Sequence, residues 1–184
     1  MTNRLFIALE IPDFALDKVI SIRDSVYESN RPVFWEPKNK LHVTLKFLGD
    51  TDTSHIESII SIMEDISKKY SLIEAEFYKF GLFYRNRQPV ILWLGIKKNL
   101  ALQELFLELD NRISLLGFRK DDREFTPHLT IVRLKGREDL KKIYKFIKCP
   151  DLALKFNFCK FTLFQSILKP TGSEYEEIKS FLLK

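Results

Sequence analysis

Short stretches in which apolar and polar residues alternate are interleaved along the chain with stretches in which apolar residues recur every three or four positions. Residues 5–11 are rich in strand formers, and Pro12 and Asp13 then begin a helical pattern that runs to about Tyr27. Residues 41–48 alternate again and are followed by a glycine. Because strands have a side-chain period of two residues and helices one of 3.6, this beginning predicts strand, helix, strand.

The same interleaving continues to the end of the chain. Ser54 and Glu57 have the spacing of a capping box, in which a serine and a glutamate satisfy the first amides of a helix. The pattern predicts strands at 77–83, 89–96, 128–134 and 154–167, the last with a break, and helices at 56–66, 100–113 and 138–147; residues 174–183 fit a helix or a strand equally.

The two halves of the chain resemble each other. Residues 6–11 resemble residues 91–96 at an offset of 85 positions, and residues 77–83 share the pattern Phe-x-Lys-Phe-x-Leu-Phe with residues 158–164 at an offset of 81. Repeated units of this kind indicate a duplicated structural element. We therefore expect residues 1–184 to form a single two-lobed domain with an internal pseudo-duplication.

Composition narrows the setting of this domain. The net charge of +5 favours an anionic partner such as RNA or phosphate, although ordinary solvated lysines give the same value. Cys149 and Cys159 are too few for a disulfide framework and lack zinc-type spacing. Glu10 and Asp13 interrupt the first apolar run, and no stretch approaches the roughly 20 apolar residues of a membrane span. These features predict a cytoplasmic protein.

Two histidines stand two residues before a threonine on predicted strands: His42 before Thr44, and His128 before Thr130. Residues i and i+2 of a strand share a face, so each strand presents an imidazole and a hydroxyl together. Equivalent lobes related by a pseudo-twofold axis would place the two histidines on opposite walls of a central cleft. The third histidine, His55, lies at a predicted helix start, and we expect it at the surface.

Such a pair suits phosphoryl chemistry, because an ordinary pKa near 6.5 allows one imidazole to accept a proton while the other donates one. Arg133 could add charge-assisted bonds to phosphate if a bulge turned it inward, but strict alternation places it on the packing face. A metal site would need more ligands, and no serine or cysteine stands in a nucleophile motif. A structural role for both His-x-Thr strands stays open.

Residues 42–49 and 127–133 are similar to the paired His-x-Thr-x motifs of the two-histidine phosphoesterases. The closest resemblance is to the RNA 2′,3′-cyclic phosphodiesterase family, also called the bacterial 2′-5′ RNA ligase-like family. Ser173 stands where that family leads us to expect proline. The resemblance covers nearly the whole chain, including residues 4–8, 90–95 and 166–175.

The resemblance implies an α+β fold that is bilobal, with two pseudo-symmetric antiparallel sheets lining a central cleft and helices outside. It implies a monomer without metal or other cofactor that hydrolyses 2′,3′-cyclic phosphate at RNA 3′ ends, or on nucleotides, to a 2′-phosphomonoester. His42 would protonate the leaving 3′ oxygen and His128 would activate water, although the reverse assignment stays open. Thr44, Thr130 and Arg133 would hold the phosphate.

Three alternatives stay open beside this expectation. The protein could act on 2′-5′ linkages, on small cyclic nucleotides, or as a non-catalytic module that binds RNA ends. Trp35, Phe83 and Tyr84 are candidates for stacking on the terminal base, with core packing the competing explanation for each.

Overall fold

Antiparallel pairing organises the protein, whose computed structural model describes residues 1–28, 30, 32–150, 152–170 and 172–184. Thr171, which belongs to the 166–175 motif, lies outside the described residues. The strands are β1 (Thr2–Glu10), β2 (His42–Asp52), β3 (Ile73–Arg85), β4 (Gln88–Ile96), β5 (His128–Arg133), β6 (Leu154–Phe158), β7 (Lys160–Lys169) and β8 (Gly172–Leu182), and the α-helices are α1 (Asp13–Tyr27), α2 (Ile56–Ser67), α3 (Leu100–Ser114) and α4 (Leu140–Ile147).

The strands form one eight-stranded sheet in the order β6-β3-β4-β5-β2-β1-β7-β8. The expectation of an α+β fold with antiparallel strands is confirmed, but two separate sheets are not found among the described residues. The reason is that the two histidine strands themselves pair, with Val43 opposite Leu129, and so join what would otherwise be two four-stranded sheets.

The strand order reads symmetrically outward from its middle. β2 and β5 occupy the centre, β1 and β4 flank them, and β7 and β3 come next, with β8 and β6 at the edges. The stretches that resemble each other in sequence lie for the most part on β1 and β4, and on β7 and β3, so these parts occupy corresponding positions in the two halves of the sheet.

The helices cover one face of the sheet. Val43 and Leu129, at the centre of the sheet, are fully buried in an apolar core. All four helices contribute to this same core, through residues such as Ala15, Met63, Leu105 and Phe146. None of the helices within the described ranges has the length and apolar character needed to cross a bilayer. The opposite face of the central strands is therefore free to form a site.

Local details correct one of the sequence expectations and decide another that the sequence left open. The capping box at Ser54 and Glu57 is wrong, because the Asp52 side chain accepts a hydrogen bond from the Ser54 amide and a short 3-10 turn, Thr53–His55, precedes α2. The ambiguous C-terminal segment is a strand, β8, paired along its length with β7.

Candidate active site

His42, Thr44, His128 and Thr130 lie together on the sheet face opposite the helices. All four are half-buried, whereas the residue between each pair is completely inaccessible to solvent. This alternation is the one predicted from the His-x-Thr spacing. The rigid central strands of the sheet therefore hold two imidazoles and two hydroxyls in one place.

The pairing of β2 with β5 sets how these four side chains face one another. Val43 is the antiparallel partner of Leu129, so the flanking positions place His42 across from Thr130 and Thr44 across from His128. Opposed residues of antiparallel strands have Cα atoms about 4.5–5.5 Å apart. The histidines are thus diagonal neighbours on adjacent strands, closer than the opposite cleft walls that the sequence suggested.

Each imidazole is held by the backbone two residues before it. The Nδ1 atom of His128 lies 2.8 Å from the carbonyl oxygen of Thr126, and the His42 ring has a hydrogen bond to the backbone of Lys40. A carbonyl accepts only from a protonated ring nitrogen, so Nδ1 of His128 carries its hydrogen and Nε2 is left for chemistry. This contact orients the ring for proton transfer.

Burial depresses the basicity of both rings. The pKa of His42 is lowered from 6.5 to about 4, chiefly by desolvation; the backbone hydrogen bond opposes this shift, and the positive charges of Arg133 and His128 add to it. Burial also lowers the pKa of His128, with a smaller contribution from Arg133. An anion placed between the rings would reverse these effects, because it stabilises their protonated forms.

A β-bulge brings Arg133 to the histidine face. The register between β4 and β5 shifts between Leu92, opposite Val132, and Trp93, opposite Thr130. Ile131 is therefore extra, and both Ile131 and Val132 are buried. The shift reverses the alternation after Thr130, as bulges do. The expectation from strict alternation, which placed Arg133 on the packing face, is wrong.

The guanidinium of Arg133 is held near the site by Glu36. The Glu36 amide donates to the Ile131 carbonyl at 3.0 Å, and the preceding Trp35 forms a β-bridge with Val132. The Nε atom of Arg133 is then 3.7 Å from Oε1 of Glu36. Sequence reasoning missed Glu36, because its position depends on a loop that docks against β5 from elsewhere in the chain.

Of the three proposed stacking residues, one lies at the site. Phe83 contacts the His128 ring edge-on with centroids 5.0 Å apart. Trp35 instead packs against Tyr27 of α1 and Phe146 of α4, on the helix face of the sheet. Tyr84 is mostly exposed and hydrogen-bonds to Tyr144 of α4. Trp35 and Tyr84 are therefore not positioned beside the histidines.

Three aromatic rings that sequence reasoning did not identify surround the His42 ring. Its centroid is 5.0 Å from that of Phe6, 6.3 Å from that of Phe164 and 5.4 Å from that of Tyr175. Burial, followed by the Glu36 charge, raises the pKa of the Tyr175 phenol, and Arg133 lowers it. Tyr175 is thus within electrostatic range of Arg133 and could contact a bound phosphate. The sequence did not single out Tyr175, because the pattern of residues 174–183 fitted a helix and a strand equally.

Phe47 is a second residue that the sequence did not single out. Register shifts between β1 and β2 occur on both sides of Phe6 and Ile7, and Leu45 and Lys46 are consecutive buried residues. Phe47, which lies within β2, is consequently 69% exposed, and the centroid of its ring is 6.1 Å from that of Phe6. The exposed Phe47 ring is thus linked to His42 through Phe6, whose ring contacts both.

His55 and the acidic residues do not extend the site. His55 is half-buried rather than at the surface, and its ring packs edge-on against Phe118 at 5.6 Å. Among the residues that the structure describes, no group of three or more His, Cys, Asp or Glu side chains is arranged to hold a metal ion.

The known proteins that are similar to this chain in sequence belong to one family. The sequence model of the 2′-5′ RNA ligase superfamily matches residues 21–168. A relative from Methanocaldococcus jannaschii, named RNA 2′,3′-cyclic phosphodiesterase, is 32% identical over 97% of this chain and 99% of its own length. A relative of the same name from Methanothermobacter thermautotrophicus is 30% identical over the full length of both chains.

Solved structures share the fold. A crystal structure of a protein from Thermus thermophilus superposes with a TM-score of 0.84, at 21% identity and with 98% of this chain and 97% of the other covered. E. coli LigT complexed with 3′-AMP superposes with a TM-score of 0.81, also at 21% identity, with 100% and 99% covered. The eight-stranded arrangement is therefore one that experimentally determined proteins adopt.

Proposed function

Because the chain belongs to the 2′-5′ RNA ligase superfamily, we propose that it hydrolyses 2′,3′-cyclic phosphate at RNA 3′ ends to a 2′-phosphomonoester, without a metal ion. The names of its full-length relatives support this substrate. The observation that supports the mechanism most directly is the meeting of His42 and His128 on paired strands through the Val43–Leu129 register.

The reaction requires one proton acceptor and one proton donor on opposite sides of a phosphorus atom. His128 takes a proton from water as its oxygen attacks phosphorus. The bond from phosphorus to the 3′ oxygen breaks, and His42 donates a proton to that oxygen. The product carries a 2′-phosphate and a free 3′ hydroxyl, and the two histidines have exchanged protonation states. Positioned imidazoles suit both steps, because the ordinary pKa of an imidazole lies near neutral pH and a phosphate bound between the rings raises the lowered pKa values of His42 and His128 back toward it.

Three further side chains would stabilise the charge on the non-bridging phosphate oxygens. Thr44 and Thr130 lie across from the histidines and can donate hydroxyl hydrogens. Arg133 reaches the same face through the bulge in β5 and can form charge-assisted bonds. Fixed donors aimed at developing charge are a major source of catalysis, and they replace the need for a bound cation.

The experiment that tests this function is hydrolysis of a substrate panel by wild-type protein. The panel holds 2′,3′-cyclic nucleotides, a short RNA ending in a cyclic phosphate, and a 2′-5′ linked dinucleotide. We expect turnover of the cyclic phosphates and a 2′-phosphate product by ³¹P NMR. Turnover confined to the 2′-5′ linkage, or to free cyclic nucleotides, would favour a related phosphodiesterase. Binding without turnover of any substrate would indicate an RNA-end-binding module.

We also propose that residues 1–184 act as one two-lobed domain derived by internal duplication, working as a monomer in the cytoplasm. The symmetric strand order supports the duplication. So do the equivalent contacts of Phe83 with His128 and of Phe164 with His42. A single domain predicts one cooperative unfolding transition in calorimetry, whereas two separated transitions would contradict it.

A further inference from the structure

Positive charge is concentrated on α4. Residues 140–148 contain four lysines and no acidic residue, a charge of +4 in a chain whose net charge is +5. Asp139, immediately before the helix, is its N-cap, and its carboxylate accepts hydrogen bonds from the amides of Lys141 and Lys142. Within the part of the chain that the structure describes, none of the four lysines has an ion-pair partner. Their charges are therefore available to an anionic ligand.

Three of these lysines lie along one exposed stripe. Lys141, Lys145 and Lys148 are spaced four and three residues apart, which places them on one side of the helix over a rise of about 10 Å. Ile143 and Phe146, on the opposite side, are fully buried in the core. Packing of α4 against the sheet thus turns the charged side of the helix outward.

The tip of the β3–β4 hairpin extends this charge. Arg85 and Arg87 are exposed, residues 84–90 contain no acidic residue, and neither arginine has an ion-pair partner within the described ranges. The Tyr84 side chain is hydrogen-bonded to that of Tyr144, which is 41% exposed beside the lysine stripe. The helix and the hairpin tip therefore form one surface. This α4 surface consists of the three lysines of the stripe, Arg85, Arg87, Tyr84 and Tyr144.

The α4 surface adjoins the histidine face at Arg133. Ile91 of β4 is the strand partner of both Phe83 and Arg133, and the Phe83 ring contacts the His128 ring. Tyr84 is the residue directly after Phe83, at the end of β3. The α4 surface therefore begins at the same end of the strands as Arg133 and continues onto the outer side of the helix layer.

Basic side chains interleaved with aromatic rings match the chemistry of single-stranded RNA. Lysine and arginine neutralise phosphates, and the release of counterions makes such binding depend on salt. Tyrosine rings stack on bases whatever the base sequence. An anionic lipid headgroup also attracts lysines, but only RNA carries a chain of phosphates onward from a terminal phosphate bound near Arg133. The position of the α4 surface therefore favours RNA.

We propose that the α4 surface binds the part of an RNA chain that precedes the nucleotide with the cyclic phosphate. The inference rests on the proposed function for the RNA end, but it names a second surface, outside the face that carries the histidines. RNA oligonucleotides then bind more tightly than mononucleotides, and the additional affinity falls as the salt concentration rises.

The test is the affinity for a fluorescein-labelled single-stranded RNA of about 12 nucleotides that ends in a 2′-phosphate, which spans an ordinary single-strand binding site. Fluorescence anisotropy measures it between roughly 50 and 200 mM salt. The variant is Lys141→Gln/Lys145→Gln/Lys148→Gln, because glutamine keeps the helix propensity of lysine. The matched control, Lys18→Gln/Lys120→Gln/Lys184→Gln, removes three lysines from α1, the loop after α3 and the C-terminus that are also exposed.

We expect the α4 variant to bind this RNA at least about tenfold more weakly than the wild type, with a plot of log affinity against log salt flatter by about 2, since each phosphate contact with a single strand contributes about 0.7. The control should retain the wild-type affinity and slope. An unchanged affinity in the α4 variant would overturn the inference, as would an equal loss in the control. Loss of binding to phosphatidylserine vesicles, with RNA affinity unchanged, would make the surface a membrane contact instead.

Hydrolysis separates this inference from the proposed function. The α4 variant should lower kcat/KM for the same RNA ending in a 2′,3′-cyclic phosphate, and keep kcat/KM for a 2′,3′-cyclic mononucleotide, which is too short to reach α4. Equal losses on both substrates would contradict a separate surface. A wild-type protein that hydrolyses neither substrate, but loses RNA affinity in the α4 variant, would refute the proposed function and support the α4 surface.

Discussion

Val43 pairs with Leu129 in antiparallel register at the centre of the eight-stranded sheet. The contact itself is apolar and buried, but it determines which polar groups meet on the other face. Because side chains alternate along a strand, this register sets His42 across from Thr130 and Thr44 across from His128. A shift of one residue in either strand would turn that strand's histidine toward the helices, so the core of the protein and its proposed chemistry depend on the same pairing.

The first prediction concerns the two histidines. His42→Ala and His128→Ala should each lower turnover of a 2′,3′-cyclic nucleotide by roughly 10² to 10⁴, the usual contribution of one general acid or base. The double variant should lose much less than the product of the two losses, because the residues act as a unit. Steady-state kinetics measures the effect. His55→Ala, away from the cleft, is the control and should keep full activity.

The second prediction concerns Arg133 and the carboxylate that holds it. Arg133→Ala should raise KM and lower kcat together, because the guanidinium would bind phosphate in both the ground and transition states. Glu36→Gln should produce a smaller loss in the same direction, since it weakens the 3.7 Å contact with Nε of Arg133. Arg137→Ala removes an exposed cation from the following loop and serves as the matched control. Unchanged kinetics in Arg133→Ala would contradict the assignment.

The third prediction is a pH dependence. Catalysis requires one protonated and one neutral histidine, and in the free protein the pKa of His42 is lowered to about 4 and that of His128 is lowered from 6.5. The pH profile of kcat/KM reports the pKa values of the free enzyme. It should therefore be bell-shaped with a maximum below pH 6.5. The optimum for kcat should lie at higher pH, because bound phosphate stabilises the protonated rings. Arg133→Ala should move the kcat/KM bell upward, since it removes a positive charge; a downward shift would contradict this.

The β-bulge that turns Arg133 to the histidine face could not be predicted from the sequence. The His-x-Thr spacing sufficed to predict two imidazoles and two hydroxyls on one face, because alternation is a local property of a strand. It failed three residues beyond Thr130, because the extra residue, Ile131, is defined by the register of β5 against β4. Pairing between strands distant in sequence is not contained in the periodicity of either strand.

The same limit explains the expectation of two sheets. The duplicated stretches predicted two equivalent halves, and the strand order is symmetric about its middle. Whether the halves remain separate depends on whether β2 and β5 pair with each other, which no local pattern indicates.

The fourth prediction concerns a buried ion pair that anchors β2, the strand of His42, to α3. Lys46 and Asp110 form a buried ion pair, with 4% and 2% of their side chains exposed, and Lys46 also donates to the Arg119 carbonyl at 2.6 Å. Lys46→Met should lower the free energy of unfolding by about 3–5 kcal/mol, because it leaves the buried Asp110 carboxylate without a positively charged partner. The double variant Lys46→Met/Asp110→Leu should recover much of this loss. Urea unfolding measures both, and a double variant no better than the single would contradict the explanation.

The roles of His42 and His128 as acid and base, rather than as metal ligands, are tested most directly by the rate of 2′,3′-cyclic nucleotide hydrolysis after exhaustive treatment with a chelator. We expect an unchanged rate, with a 2′-phosphomonoester as product, because Thr hydroxyls and a guanidinium meet the phosphate charge. Loss of activity on chelation, followed by recovery with added zinc or manganese, would make the histidines ligands and contradict acid–base catalysis by the two imidazoles.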